Sequence, residues 1–370
     1  MSASINIPDL LHLASIPGIG TNRLRNLVAH FSSPTEVLAA SPRALARVEG
    51  IEKKLASTIA HHKDGSPFVE EQLSRLNKVN GRIITLWDDE YPSLLKKIYD
   101  PPVILFVRGT IAKEDNFSIA VVGTRHPTQY GKLMTEKFSK ELAAKGISIV
   151  SGLARGIDTI AHSTALKHDS RTVSVLGSSI DHIYPAENKK IVEQIEESGK
   201  GAVISEFFMG TKPDPGNFPR RNRIISGMSL GTLIIESDED GGAMITATMA
   251  VDQNRELFCV PGNIFEKKSL GTNKLIKLGQ AKLVQSVDDI IDELEIALRP
   301  VLKTTSRKTE MPQLSIFEQK IFDILSSEPI HIDELSEKSS LSPSDTLVNL
   351  LSLEFKSLVR QLAGKFFVKL

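Results

Sequence analysis

The chain has 370 residues, enough for two or three domains, and its 41% hydrophobic and 24% charged content is that of an ordinary globular protein. Lys and Arg number 45, as do Asp and Glu, so net charge offers no global nucleic-acid signature and any such signature must be local. One cysteine, Cys259, excludes an intrachain disulfide framework and a cysteine-based metal cluster, and in the run ELFCVPG it reads as a buried small side chain.

The opening MSASINIPDLLHLASIPGIG lacks the basic start and uninterrupted apolar core of a signal peptide. No apolar run approaches the roughly 20 residues that span a bilayer. A cytoplasmic protein without membrane attachment is expected.

Residues 1–65 read as short helices joined by glycine turns, in the manner of a SAM-like helix-hairpin-helix domain. In LLHLASIPGIGTNRLRNLVAHF, apolar residues recur at helical spacing on both sides of PGIG. Gly18 and Gly20 there would let backbone N–H groups approach a DNA phosphate at the start of the second helix. The partial repeat at EGIE has Glu49 and Glu52 beside Gly50, which repel phosphate, so that turn is expected to be structural. Residues 66–79 connect this module to the next.

From 80 to 298 the pattern changes. The runs SIAVVG, ISIVSG, TVSVLG, GAVISE, TLIIES, LFCVPG and AKLV alternate with stretches such as YGKLMTEKFSKELAAKG and GAMITATMAVDQNR. Apolar runs without alternation, separated by helices, predict a mostly parallel sheet covered on both faces. The fold class is therefore α/β, a Rossmann-like doubly wound core, with residues 81–110 as a lead-in extension packed on the sheet. The polar, basic stretch 299–313 reads as a linker, and 314–370 as three helices and a hairpin, a winged helix whose third helix starts at Ser342-Pro343.

The turn after the first core strand, GTRHPTQYGK, lacks both the GxGxxG and the GxxxxGK[ST] spacing, so neither NAD nor ATP is expected and no cofactor is assigned. The nine histidines show no metal-ligand spacing, so no metal is assigned either. The strand ends offer cations instead: Arg125 after the first strand, Ser151, Gly152 and Arg155 after the second, and the stretch GNFPRRNR, read as a loop. That stretch adds Asn217, Phe218, Arg220, Arg221, Asn222 and Arg223. Doubly wound topology sets these turns on one rim. An aromatic ring with interleaved arginines suits single-stranded nucleic acid, the ring stacking a base and the guanidinium groups holding phosphates. The competing reading has the arginines pair with Asp158, Glu206 and Glu236 to brace the loops. Asp158 and His162, at i and i+4 on one helix, read as a local contact that steadies the helix start.

SGLARGIDTIAH, GNFPRRNRIISG, GGAMITA and VPGNIFEKKSLGTNKLI closely resemble the DprA/Smf family of bacterial DNA-processing proteins, densely over residues 80–290. The resemblance implies a protein of natural transformation that binds and protects incoming single-stranded DNA. It also implies that the protein assists loading of RecA recombinase, including onto strand coated by single-strand-binding protein, and that it acts as a homodimer without catalysing a covalent reaction. It maps the family's binding pocket onto Gly123, Thr124 and Arg125 and onto Phe218, Pro219, Arg220, Asn222 and Arg223. In the terminal module, Lys356, Arg360, Lys365 and Lys369 are further nucleic-acid candidates, with protein contact as the other use of those helices.

Two rivals stand beside this reading. A nucleotide-processing phosphoribohydrolase would use a PGGxGTxxE motif, but GMSLGTLIIE lacks the paired glycines and carries Glu236 four rather than three positions after Thr232. A one-residue shift in a strand turns a side chain to the opposite face. A duplex-DNA regulator would use the terminal modules, with the core as a sensor.

Overall fold

The computed structural model describes residues 5–62, 65–302, 314–326, 328–356 and 358–369, in two compact units that divide between Thr305 and Ser306. The first unit opens with six helices: α1 (Ile7–Ser15), α2 (Thr21–Phe31), α3 (Pro34–Ala39), α4 (Pro42–Leu45), α5 (Lys53–Ala60) and α6 (Ser66–Lys78). Their starts are written locally. Ser33-Pro34 and Ser41-Pro42 repeat one device, in which serine accepts from the third backbone N–H of the helix and proline fills the first position. Gly18 and Gly50, at φ 91° and 81°, turn the chain between helices in the left-handed region.

These helices do not form a core of their own. Leu10, Leu13, Leu27 and Ile59 belong to one apolar cluster with Leu76, Phe106, Leu176 and Ile180, which continues into the sheet domain. The connecting segment is itself helical, as α6, and buried Gln72 bonds both the N–H and the C=O of Met209, at 2.7 and 3.3 Å.

The sheet has nine strands: β1 (Arg82–Thr85), β2 (Ile104–Gly109), β3 (Ser118–Val122), β4 (Ser148–Ser151), β5 (Thr172–Val175), β6 (Gly201–Ser205), β7 (Gly231–Ile234), β8 (Glu256–Cys259) and β9 (Lys282–Leu283). Their order is β1-β2-β6-β5-β4-β3-β7-β8-β9, parallel from β6 to β9. All seven apolar runs are strands. The lead-in extension joins the sheet rather than lying on it, because β2 pairs antiparallel with β6 and β1 with β2.

Helices α7 (Gln129–Ala144), α8 (Ile157–Lys167), α9 (Lys189–Ser198), α10 (Asn217–Met228), α11 (Gly242–Asp252), α12 (Leu270–Lys277) and α13 (Val287–Leu302) cover the sheet. Adjacent strand residues feed opposite layers: Ala120 and Val122 pack with α10 and α11, Ile119 and Val121 with α7 and α8. Cys259 is fully buried, which pushes its thiol up to about 12. Helix α13 runs through Leu302, so the first four residues of the expected linker are helical; residues 303–313 lie outside the described residues.

The second unit holds α14 (Ile316–Ile324), α15 (Ile332–Ser339) and α16 (Pro343–Phe355) with strands β10 (Ile330–His331), β11 (Val359–Leu362) and β12 (Phe366–Lys369), ordered β10-β12-β11. Ser342 caps α16 by accepting from Asp345 N–H at 3.1 Å, as its Ser-Pro start predicts. Its core is separate, around Ile321, Leu335, Leu350 and Phe367.

Candidate nucleic-acid interface

The strand order reverses between β3 and β7, and a doubly wound sheet opens a crevice at such a point, beyond the carboxyl ends of the strands. Here that crevice is a cleft of about 600 Å³. On one side lies the turn after β3. A Cβ on Gly123 would meet Ile157 Cγ1 at 2.6 Å and the Glu236 carbonyl at 2.9 Å, so only glycine lets the chain leave the sheet there. Thr124 N–H donates to Glu236 O at 2.8 Å, which fixes the turn and leaves the Arg125 side chain exposed.

The stretch GNFPRRNR is not a loop but the first turns of α10. The arginines argue against a helix start, because its dipole is positive at that end, yet partners from elsewhere in the fold offset them. Arg221 is 4% exposed; its Nη1 donates to Gly152 O at 2.6 Å and to Val175 O, and its Nε to Asn222 Oδ1 at 3.2 Å. Burial lowers its pKa to about 10, against the opposing pull of Asp158. Asp158 in turn accepts from Gly152 and Ala154 N–H at 3.0 and 3.3 Å, and burial raises it to about 6. Arg223 pairs with Asp100 at 2.9 Å and with Glu206 at 2.5 Å.

Phe218, half-buried, sits over Gly177, where a Cβ would stand 2.6 Å from its ring. Its ring centroid lies 5.8 Å from that of Tyr184, 5.6 Å from the Arg125 guanidinium and 5.9 Å from that of Arg221. Arg125 has no carboxylate within 4.0 Å among the described residues. The opposite wall is the start of α11, with Ser237, Gly241, Gly242 and Thr246; a Cβ on Gly242 would meet nothing within 4 Å.

The predicted site residues therefore divide. Gly123, Thr124, Arg125, Phe218, Arg221 and Asn222 line the cleft. Asn217 begins α10, and Arg220 is exposed with its guanidinium 5.5 Å from the buried Phe207 ring. Arg155 stands at the rim in a pair with Glu187, at 2.5 and 2.9 Å. Four residues have their polar groups taken up within the protein. Ser151 donates to Val121 O at 2.7 Å, the Gly152 N–H is taken by Asp158, Arg221 braces two strand ends, and Arg223 is held between carboxylates. Asp158 and His162 have separate partners rather than each other: His162 Nδ1 lies 2.7 Å from Thr172 Oγ1, whose hydroxyl donates to Ile149 O.

Tyr184 escaped the sequence reading, and the α11 wall entered it only as the motif GGAMITA, without a place in the cleft. Tyr184 lies in the connection SSIDHIYPAEN, which has no helical or strand periodicity to give it a face. In the hairpin, Gly20 caps α2 without a side-chain bond, and Arg23 donates to Gly18 O at 2.8 Å. In the second unit, Lys356 bonds both Glu318 carboxylate oxygens at 2.7 Å and, with Ser352 and Ser315, holds that carboxyl down to about 2. Arg360 lies on β11, and Lys369 sits over the Phe322 ring at 3.7 Å. Lys356→Met should therefore lower the melting temperature of the winged-helix unit while leaving oligonucleotide affinity unchanged, which calorimetry and a binding titration check together.

Glu236, the residue a phosphoribohydrolase would need, is 1% exposed, and its carboxylate accepts from Thr128 N–H at 2.9 Å and from the Thr128 hydroxyl. It anchors the start of α7. Among the described residues no group of three His, Cys, Asp or Glu could hold a metal ion.

A doubly wound core with a cation-and-aromatic cleft at its switch point, preceded in the chain by a helix-hairpin-helix module and followed by a winged-helix module, is the make-up of a DNA-handling protein. The sequence model of DNA recombination-mediator protein A matches residues 82–295, that of the DprA winged helix domain residues 306–365, and that of the SAM-like helix-hairpin-helix tandem residues 10–61. The chain belongs to the DprA/Smf family. It is 34% identical to protein Smf of Synechocystis over 95% of this chain and 96% of that one. It is 42% identical to DNA processing protein DprA of Bacillus subtilis over 57% of this chain and 70% of that one. The crystal structure of Streptococcus pneumoniae DprA superimposes with a TM-score of 0.66 at 29% identity, over 78% of this chain and 99% of that one. A Helicobacter pylori DprA structure, described for its single-stranded DNA binding mode, gives 0.51 at 32% identity, over 58% and 97%.

Proposed function

We propose that the protein binds single-stranded DNA in the cleft between α10 and α11, protects it, and assists loading of RecA onto it during transformation and recombination, acting as a cytoplasmic homodimer with single-strand-binding protein as a further partner. The observation that carries this reading is Phe218 beside the exposed, unneutralised Arg125 at the mouth of the switch-point cleft. The ring stacks an unpaired base, Arg125 and Arg220 hold phosphates, and Asn222 offers a side-chain amide inside the cleft. The relative from Helicobacter pylori, described for single-stranded DNA binding, supports the ligand class.

Fluorescence anisotropy with oligo-dT and a matched duplex across a salt series tests it. Phe218→Ala should weaken the single-strand complex about tenfold or more, from roughly 1–3 kcal/mol of stacking. Arg125→Ala/Arg220→Ala should lower the salt slope by about 0.7 for each phosphate that the variant no longer neutralises. Unchanged affinity in both variants sinks the cleft as the DNA site. With the site in hand, RecA strand exchange on protein-coated strand should be stimulated by the wild type and not by Phe218→Ala.

A further inference from the structure

Tyr99 is 87% exposed, an unusual place for a tyrosine, yet its backbone is anchored. Leu95 and Ile98 are buried against α10, close enough that a Cβ on Gly227 would meet them at 3.0 and 2.9 Å. Arg255 ties Leu94 O to Gly227 O at 2.9 and 3.2 Å, and Asp100 holds Arg223. The turn Leu95–Lys97 and Tyr99 therefore ride on the helix that presents Phe218 and Arg220. From Phe218 to Arg223 is about 7.5 Å of helix axis. On the other side, Arg25 Nη1 of α2 reaches Tyr99 O at 3.4 Å, which brings the helical hairpin to the same spot.

Lys96 and Lys97, both exposed, lie just before Tyr99 in the chain, and half-buried Arg25 reaches its carbonyl; none of the three has a carboxylate within 4.0 Å among the described residues. Single exposed apolar side chains are ordinary on protein surfaces. A ring on a fixed backbone, next to cations that form no ion pair among the described residues, has instead the makings of a stacking platform on a phosphate track.

We infer that Tyr99, with Lys96, Lys97 and Arg25, forms a second single-strand contact that continues the strand from the α10 cleft, past Arg220, toward the helical hairpin. This rests on the cleft being the first contact. A short strand fills the cleft alone; a longer one also covers Tyr99.

The test compares labelled oligo-dT of about 5 and about 20 nucleotides, lengths that bracket common single-strand site sizes. Tyr99→Ala and Lys96→Ala/Lys97→Ala should each weaken the long oligonucleotide about tenfold and leave the short one unchanged, while Tyr99→Phe restores long-strand affinity. The ring is exposed, so thermal melts of all variants should coincide. Equal loss on both lengths, or none on the long strand, overturns the inference. Phe218→Ala should weaken both lengths. If it weakens neither while Tyr99→Ala still weakens the long strand, the cleft reading fails and the Tyr99 contact stands.

Discussion

Arg221→Met should destabilise the core by about 3–5 kcal/mol, a large fraction of what holds a domain of this kind together. The guanidinium is buried, and its removal leaves Gly152 O and Val175 O without a donor and Asp158 without its nearby cation. Each orphaned carbonyl costs about 1–3 kcal/mol, and an uncompensated buried carboxylate costs more. Methionine fills similar volume, so the loss reports polar groups rather than a cavity. Urea denaturation measures it. The double variant Arg221→Met/Asp158→Asn should lose clearly less than the two single variants summed, since removing both charges spares the orphan. A loss under about 1 kcal/mol, with DNA affinity abolished at unchanged stability, would instead place Arg221 on the nucleic acid.

The architecture was legible because its signals are local. Unalternating apolar runs at each strand, Ser-Pro helix starts and glycine turns all appear in the structure. The α10 start was misread because only the dipole speaks against a helix there, an effect of about 0.3–1 kcal/mol. Asp158, Asp100 and Glu206 outweigh it, and they reach the arginines only through the completed fold. A better signal was present: Arg221, Ile224, Ile225 and Met228 are all buried, at the i, i+3, i+4, i+7 spacing of a helix face. The edge position of β1 and β2 was not legible, since antiparallel pairing with β6 spans roughly a hundred residues of chain and leaves no local mark.

The candidate site was legible as a group of strand ends on one rim more than as a set of side-chain partners. The sequence sets an aromatic ring among arginines that either hold phosphates or brace the loops. The fold divides them: Arg221 and Arg223 face inward onto carbonyls and carboxylates, Arg155 is paired at the surface, and Arg125 and Arg220 are left with aromatic neighbours. One sequence cannot make that division, because each partner lies in a different segment. Bracing accounts for Arg221 and Arg223, while Arg125 and Arg220 have no carboxylate within 4.0 Å among the described residues. The braces position the helix that presents Phe218 and Arg220.

The same buried seam has an acid signature in which two groups oppose each other. Burial, aided by Arg221, pushes His162 down to about 3, while burial raises Asp158 to about 6. Neutral His162 contributes stability that is complete above the unfolded value of about 6.5 and lost as pH falls toward 3. Asp158 runs the other way: its ionised form is disfavoured in the fold, so falling pH relieves the molecule between about 6 and 4. Across that interval folded and unfolded chains differ by no net proton at this pair, and its contribution is flat. Separating the two should reveal opposite slopes. Relative to wild type, His162→Gln should gain about 1.4 kcal/mol per pH unit as pH falls through this window, and Asp158→Asn should lose about as much. Urea unfolding of the three proteins at pH 7, 6, 5 and 4 supplies the comparison, and taking differences from wild type cancels the other carboxylates. A flat difference for His162→Gln would mean that the imidazole titrates at its ordinary value, and that the seam beneath α8 admits water.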